Sequence, residues 1–308
     1  MSAAADLFWL RVNRRAATYA PGLARALLKA FAFLREQMPD AVVEPLVRAG
    51  DVGAVVDLVV AQAAIALAPV REQLQGILAE SVTYFAREVP DGSVGISFNV
   101  LRPEVITAVR NLDTKVIGGL EENIRETVRA YIEQGLRTGV NPTETARALR
   151  EIIGLSPTQL QHVENLRTEL ETGQFADAAR RALIDQRFKL ANLTELPEAE
   201  RAARIARIVD RYRASYITFN ADTIARTATL DSLKLGQQLA WQDAIEKGIV
   251  DGPLMKTWKG VLDDRERDEH VAMEGETVPM DEPYSNGNLI PGDDTYNCRC
   301  LSIITAAA

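Results

Sequence analysis

The clearest feature of the hydrophobic pattern is a long amphipathic segment near the middle of the chain. A helix has 3.6 residues per turn, so apolar residues spaced by three or four form one stripe along its face. Such a stripe runs through Val105, Val109, Leu112, Val116, Leu120, Ile124, Val128 and Tyr131. The pattern predicts a helix of about eight turns, closed by Gly135 and Gly139.

Two helix-start signals follow this segment. Asn141 and Ser156 each precede a proline, and a Glu or Gln stands three positions after each of them. The side chain of such a residue caps the free backbone N–H groups of a helix, and proline suits the first helical position. We therefore expect helices to begin at these two positions, with Gly154 and Gly173 marking their ends.

The rest of the first 250 residues also has helical periodicity. Residues 40–88, 175–190 and 198–247 are predicted to be helical, and the apolar stretch 52–70 is interpreted as a buried helix because Asp57 and Gln62 interrupt it. Residues 1–38 are predicted to form a basic helical hairpin with a break at Pro21 and Gly22. This arm either packs on the body or docks on an acidic partner, nucleic acid or a membrane surface.

The pattern changes after Gly248, where Gly, Pro, Asp and Asn become frequent. Residues 256–262, 276–278 and 302–305 have the character of short strands, and residues 263–273 that of one or two helical turns. The predicted fold is mainly α, a multi-helix body with a small C-terminal α+β or irregular module ending in Cys-x-Cys. The predicted domains are an arm at 1–38, a body at 39–250 and a module at 251–308.

Composition and charge narrow the class of protein. The 308 residues carry a net charge of −8, and only 6% are aromatic. This balance favours helices over a β-sandwich and argues against a general nucleic-acid coat. Cys298 and Cys300 are the only cysteines and cannot build a disulfide scaffold, so we expect a protein made in a reducing cytoplasm.

The module also holds a candidate metal site. His270, Cys298 and Cys300 are good zinc ligands, and structural zinc takes four. Candidates for the fourth ligand are Asp263, Asp264, Asp268, Asp293 and Asp294. The alternative is a metal-free cluster in which the cysteines are small buried residues and His270 forms a hydrogen bond within the module.

Motifs for catalysis are missing from the sequence. There is no phosphate-binding Gly-x-x-x-x-Gly-Lys, no His-Glu-x-x-His and no Gly-x-Ser-x-Gly. We therefore expect no enzyme, although a Cys–His nucleophile pair remains an alternative. The arginine row at 201, 204, 207 and 211 either binds phosphate or an acidic partner, or forms a solvated face.

Several of these residues together resemble one family. The resemblance rests on Ile224-Ala225-Arg226-Thr227, Trp258, Asp264-Arg265, His270, Gly275, Pro291-Gly292-Asp293 and Asn297-Cys298-Arg299-Cys300. This series is similar to the phage head-morphogenesis family, the Mu F-like minor head proteins of tailed bacteriophages. The similarity is strongest from about Ala221 to Leu301. Many members carry two more cysteines, at positions that correspond to Arg267 and His270.

The resemblance implies a structural minor capsid protein located in the virion head, at the portal vertex. Its implied partners are the portal protein, the major capsid protein or both, with contact to packaged DNA through the basic arm and none to a membrane. It implies a role in head assembly, and in DNA packaging or ejection. The alternative is a zinc-dependent enzyme or toxin-like effector packaged in the particle. Residues expected to form a structural network in the module are Arg226, Trp258, Asp264, Arg267, Gly275, Asp293 and Asp294.

Overall fold

A computed structural model describes residues 3–89, 102–250, 253–293 and 295–306 of the chain. Asp294, one of the residues expected in the structural network, lies outside these ranges. The described residues confirm a mainly helical protein with a small three-stranded antiparallel sheet near the C-terminus.

The helices of the first 200 residues are mostly short and follow one another closely. They are α1 (Ala3–Glu36), α2 (Asp40–Ala49), α3 (Val52–Ala66), α4 (Ala68–Ala86), α5 (Pro103–Asp113), α6 (Gly119–Thr138), α7 (Pro142–Ile152), α8 (Pro157–Glu171) and α9 (Phe175–Ala179). A π-helical turn, Thr114–Gly118, joins α5 to α6, so the predicted amphipathic segment is continuous but not uniform. A 3₁₀ helix, Leu190–Glu195, precedes α10 (Glu198–Glu246).

The C-terminal part contains the sheet. Its elements are β1 (Leu254–Lys259), α11 (Asp268–Ala272), β2 (Thr277–Pro279) and β3 (Leu301–Ala306). The strand order is β2-β1-β3, with Lys256 opposite both Val278 and Ile304. The three strands were predicted with boundaries shifted by one to three residues, and α11 occupies only residues 268–272 of the predicted helical segment 263–273.

Two helix predictions were wrong. The first helix continues through Pro21, so residues 1–38 contain no hairpin at that point. Residues 180–189 are not helical, because the Asp185 carboxylate accepts a hydrogen bond from the Arg187 backbone N–H at 3.1 Å. Such a local side-chain bond competes with the helix.

The two predicted capping signals are present. The Asn141 side chain accepts from the N–H of Thr143, and Ser156 forms a complete capping box with Gln159. Gly139 adopts the left-handed conformation, with φ of 70°, directly after α6. These local signals depend on neighbours in sequence, which explains why the pattern alone was sufficient to find them.

The chain divides into two compact units, each assembled from separate segments. One unit comprises Met1–Arg25, Pro69–Ile117 and Asp222–Ala308, and the other comprises Ala26–Ala68 and Gly118–Ala221. In the second unit, α2 packs on α7, and α3 packs on α6. The proposed boundaries at residues 38 and 250 stay predictions.

The unit that contains the sheet has two apolar clusters around it. The first comprises Val89, Trp241, Ala244, Leu254, Met280 and Ile304. The second comprises Trp258, Met273, Tyr284, Cys298 and Cys300. Trp258 on β1 is fully buried and contacts the rings of both His270 and Tyr284 edge to face. The second cluster therefore surrounds the candidate metal ligands.

Among the described residues, no single helix is long and apolar enough to cross a membrane. Only the bent pair Val52–Ala66 and Ala68–Ala86 reaches the required length and composition together.

Candidate metal centre in the C-terminal module

The histidine of the candidate site comes from the short helix α11. His270 is 2% exposed and lies against the Trp258 ring, with ring centroids 5.3 Å apart. Gly275 then reverses the chain toward β2 with φ of 84°, and its N–H donates to the Trp258 carbonyl at 3.0 Å. Glycine favours this left-handed turn, which fixes α11 beside β1.

The two cysteines lie just before β3. Residues two apart in an extended chain point to the same side, so Cys298 and Cys300 both face inward and are 4% and 2% exposed. Gly292 packs directly on Cys298: a Cβ atom there would lie 2.4 Å from the Cys298 Cβ, and its φ is 86°. Any other residue at position 292 would displace the cysteine.

The donor atoms of the three side chains lie close together. The His270 Nδ1 lies 3.6 Å from the Cys298 Sγ and 3.6 Å from the Cys300 Sγ. All three donor atoms lie within 4.8 Å of one another. A tetrahedral zinc ion with the usual Zn–N and Zn–S distances separates a nitrogen and a sulfur ligand by about 3.6 Å. The spacing of the donors therefore fits zinc.

A fourth possible donor atom, a carboxylate oxygen, lies beside Cys300. The Glu266 Oε1 lies 3.0 Å from the Cys300 Sγ, although it lies outside the group of three mutually close donors. Its other oxygen accepts hydrogen bonds from the backbone N–H groups of Val261 and Leu262, which hold the carboxylate in place. Gly260 leaves room for it, because a Cβ there would lie 2.4 Å from the Glu266 Oε1.

The sequence interpretation did not consider Glu266 as the fourth ligand. Of the aspartates proposed instead, Asp263 pairs with Arg299 through both of its oxygens, and Asp293 lies 3.5 Å from the Lys115 ammonium group. Glu266 belongs to a run of alternating charges that is typical of a surface turn. Its carboxylate contacts both the Cys300 Sγ and two backbone N–H groups, which distinguishes it from its neighbours.

The thiols differ in acidity. The hydrogen bond from the Cys300 thiol, aided by the nearby Lys234 charge, lowers the pKa of Cys298 to about 5. The same hydrogen bond and burial raise the pKa of Cys300 above its usual range. Cys298 is thus favoured as a thiolate, the form that binds metals and reacts as a nucleophile.

A buried lysine supports the cysteine segment from the long helix. The Lys234 side chain on α10 donates to the carbonyl of Pro291 at 2.5 Å and to that of Cys298 at 3.5 Å. Its ammonium group lies 4.0 Å from the buried Asp231 carboxylate, which in turn lies 2.9 Å from Lys115. A charged pair three residues apart inside an apolar run was the available sequence signal for this support.

The residues expected to form a structural network are distributed over several separate contacts. Trp258 is buried, Gly275 forms the turn after α11, and Arg226 and Asp264 are exposed. The exposed Arg267 donates to the Tyr296 carbonyl at 3.0 Å. Arg299, which was not among the expected network residues, forms an ion pair with Asp263.

A comparison with protein-family models places these observations in context. Residues 126–303, more than half of the chain, match the model described as Phage Mu protein F like protein. The matched range begins in α6 and includes all the candidate metal ligands. No curated protein and no solved structure shows a significant match to the chain.

Proposed function

Because the chain belongs to the family of phage Mu protein F-like proteins, we propose that it is a minor head protein that associates with the portal vertex. Family membership itself makes it a phage head-morphogenesis protein, with a structural role among other components of the phage head. The portal vertex as its location, and assistance in DNA packaging or ejection, are the finer parts of the proposal.

The C-terminal module has features suited to binding another head component. Leu262, Val271, Leu289 and Tyr296 are large side chains that are 42–55% exposed. Leu262 also has a positive φ of 58°, and the Glu266 carboxylate holds it there by accepting its backbone N–H. Strained residues of this kind concentrate at functional sites. We therefore propose that these exposed side chains of the module contact the portal protein.

Surface substitutions in the full-length chain test this proposal. We expect the chain to be recovered with the portal protein when the two are co-expressed with the major capsid protein. Leu262→Asp combined with Leu289→Asp should reduce recovery at least tenfold, because a buried unpaired charge is costly at an interface. Ile65→Asp combined with Val140→Asp, at positions that are 60% and 43% exposed in the other unit, is the matched control.

Native mass spectrometry of the recovered assembly gives both the partner and the copy number. Normal recovery of the Leu262→Asp, Leu289→Asp variant would contradict docking through the module. Recovery with capsid shells that lack the portal protein would contradict the portal vertex as the location.

We also propose that His270, Cys298 and Cys300 hold a structural zinc ion, with Glu266 as the fourth ligand. The support is the donor spacing of 3.6 Å, the burial of all three side chains and the soft nitrogen and sulfur donors. A bound zinc would stabilise a module with little apolar content. Burial of the donors favours this role over the alternative of a zinc enzyme, because catalytic zinc keeps an open position.

We further propose that the basic arm, residues 1–38, contacts packaged DNA. Some of the arm's cations have protein partners: Arg11 pairs with Glu88, and Arg15 lies 3.9 Å from the centre of the Tyr84 ring. Arg14, Arg25 and Lys29 are exposed and form no ion pair with any described residue. These three cations are the candidates for contact with phosphates.

A further inference from the structure

A second site lies in the other compact unit, where the chain enters α10. The segment 187–196 and the first three turns of α10 surround a cavity of about 540 Å³. Leu193, Leu196 and Ala203 supply its apolar part. This volume is within the range of small-molecule sites, which are mostly apolar with a few polar groups.

Positive charge dominates the lining of this cavity. The cations are Arg187, Lys189, Arg204 and Arg207, and Glu200 is the only carboxylate that lines it. Asp185 neutralises Arg187 by an ion pair of 2.6 Å. Lys189 and Arg207 form no ion pair with any residue in the described part of the chain, so their charges are available to a ligand.

The arginine row predicted from the sequence therefore has more than one role. Arg201 donates to the Leu196 carbonyl at 3.0 Å, and Arg211 lies 3.6 Å from the Asp185 carboxylate. Arg204 instead lies over the Phe188 ring, 5.2 Å from its centroid, at the cavity. A row that served only as a solvated face would place all four side chains in solvent, whereas Arg204 and Arg207 line a concave surface.

We propose that this cavity binds the phosphate group of a nucleotide, free or within a DNA strand. Lys189 and Arg207 contact the phosphate through charge-assisted hydrogen bonds. The Phe188 ring, over which Arg204 lies, keeps that side chain in position, and the apolar part of the cavity accommodates the rest of the nucleotide. The site uses none of the residues assigned to the portal contact or to zinc.

Binding of defined probes to the full-length chain tests this site. The probes are inorganic phosphate, deoxyadenosine monophosphate and a fluorescein-labelled 16-base-pair duplex, at low salt. We expect Lys189→Gln combined with Arg207→Gln to weaken binding at least tenfold. For the duplex, the magnitude of the slope of log affinity against log salt should fall by about 1, since the variant loses one phosphate contact and each contributes about 0.9.

The matched control is Arg129→Gln combined with Arg147→Gln, two exposed arginines of the same unit that lie outside the cavity. It removes the same charge and should change affinity less than twofold. Glu200→Gln, which removes the one carboxylate, should strengthen binding, while Glu171→Gln on the exposed end of α8 should not.

The probes distinguish the source of the phosphate. Binding of deoxyadenosine monophosphate at least as tight as that of the duplex would identify a free nucleotide, and tighter binding of the duplex would identify the DNA backbone. Equal losses in the cavity variant and its charge-matched control would overturn the proposal, as would the absence of binding to all three probes.

Discussion

At the scale of single residues, the metal proposal can be tested by substituting one of the three clustered side chains, His270, Cys298 and Cys300. We expect the purified chain to carry one zinc ion and Cys298→Ser to lose it, because a thiolate binds zinc and a serine hydroxyl does not replace it. Native mass spectrometry gives the metal content, and thermal unfolding gives its effect on stability. A chelator should lower the Tm of the unmodified chain.

Met273→Leu provides the control for this experiment. Met273 belongs to the same buried cluster as the two cysteines but is not a zinc ligand, and leucine nearly conserves its volume. It should keep its zinc. Glu266→Gln should bind zinc more weakly if the carboxylate is the fourth ligand. A metal-free chain whose Tm is unchanged by chelator would support the hydrogen-bonded cluster instead.

At the scale of elements, the contact between α4 and α10 depends on one glycine. A Cβ atom on Gly236 would lie 2.4 Å from the Ser81 Cβ and 3.0 Å from two backbone atoms of α4. We expect Gly236→Ala to lower the free energy of unfolding by about 1–3 kcal/mol, because the two helices must separate. Chemical denaturation measures this change.

Gly76→Ala on α4 provides the opposite case. A Cβ there meets nothing within 4 Å, so alanine should stabilise the helix by about 0.5–1 kcal/mol. If both alanine variants stabilised the chain, the close approach of α4 and α10 would be wrong.

The elements also show what the sequence was able to predict. Caps at Asn141 and Ser156, and the strand that carries Trp258, depend on neighbouring residues and were found. The continuation of α1 through Pro21 depends on tertiary packing, which outweighs a local helix breaker. Lys234 and Glu266 reach the cysteine segment only because segments distant in sequence meet there, and no local pattern encodes those contacts. The resemblance located the segments that carry His270, Cys298 and Cys300, but not Glu266.

At the scale of the whole chain, residues near the N-terminus contact the C-terminal module within one compact unit. The Trp9 Nε1 donates to the Arg299 carbonyl at 2.8 Å, between the two cysteines in sequence. Asp6 lies 2.9 Å from the Lys259 ammonium group, although its side chain is 62% exposed and such pairs contribute little. The tryptophan contact is therefore the important one. Trp9 lies outside the family match, so a residue near this chain's N-terminus supports the segment that carries Cys298 and Cys300.

Trp9→Phe tests this support, since it removes the donor and part of the ring. We expect the free energy of unfolding to fall by about 1 kcal/mol and amide hydrogen exchange to rise in β3, which directly follows Cys300. Leu10→Ala, at a neighbouring position that is 51% exposed, should change neither quantity appreciably. Exchange in β3 that stays equal in both variants would mean that the module is held by its own contacts. Faster exchange in Trp9→Phe alone would mean that the arm stabilises the segment that carries both cysteines, and that a ligand displacing the arm would loosen this segment.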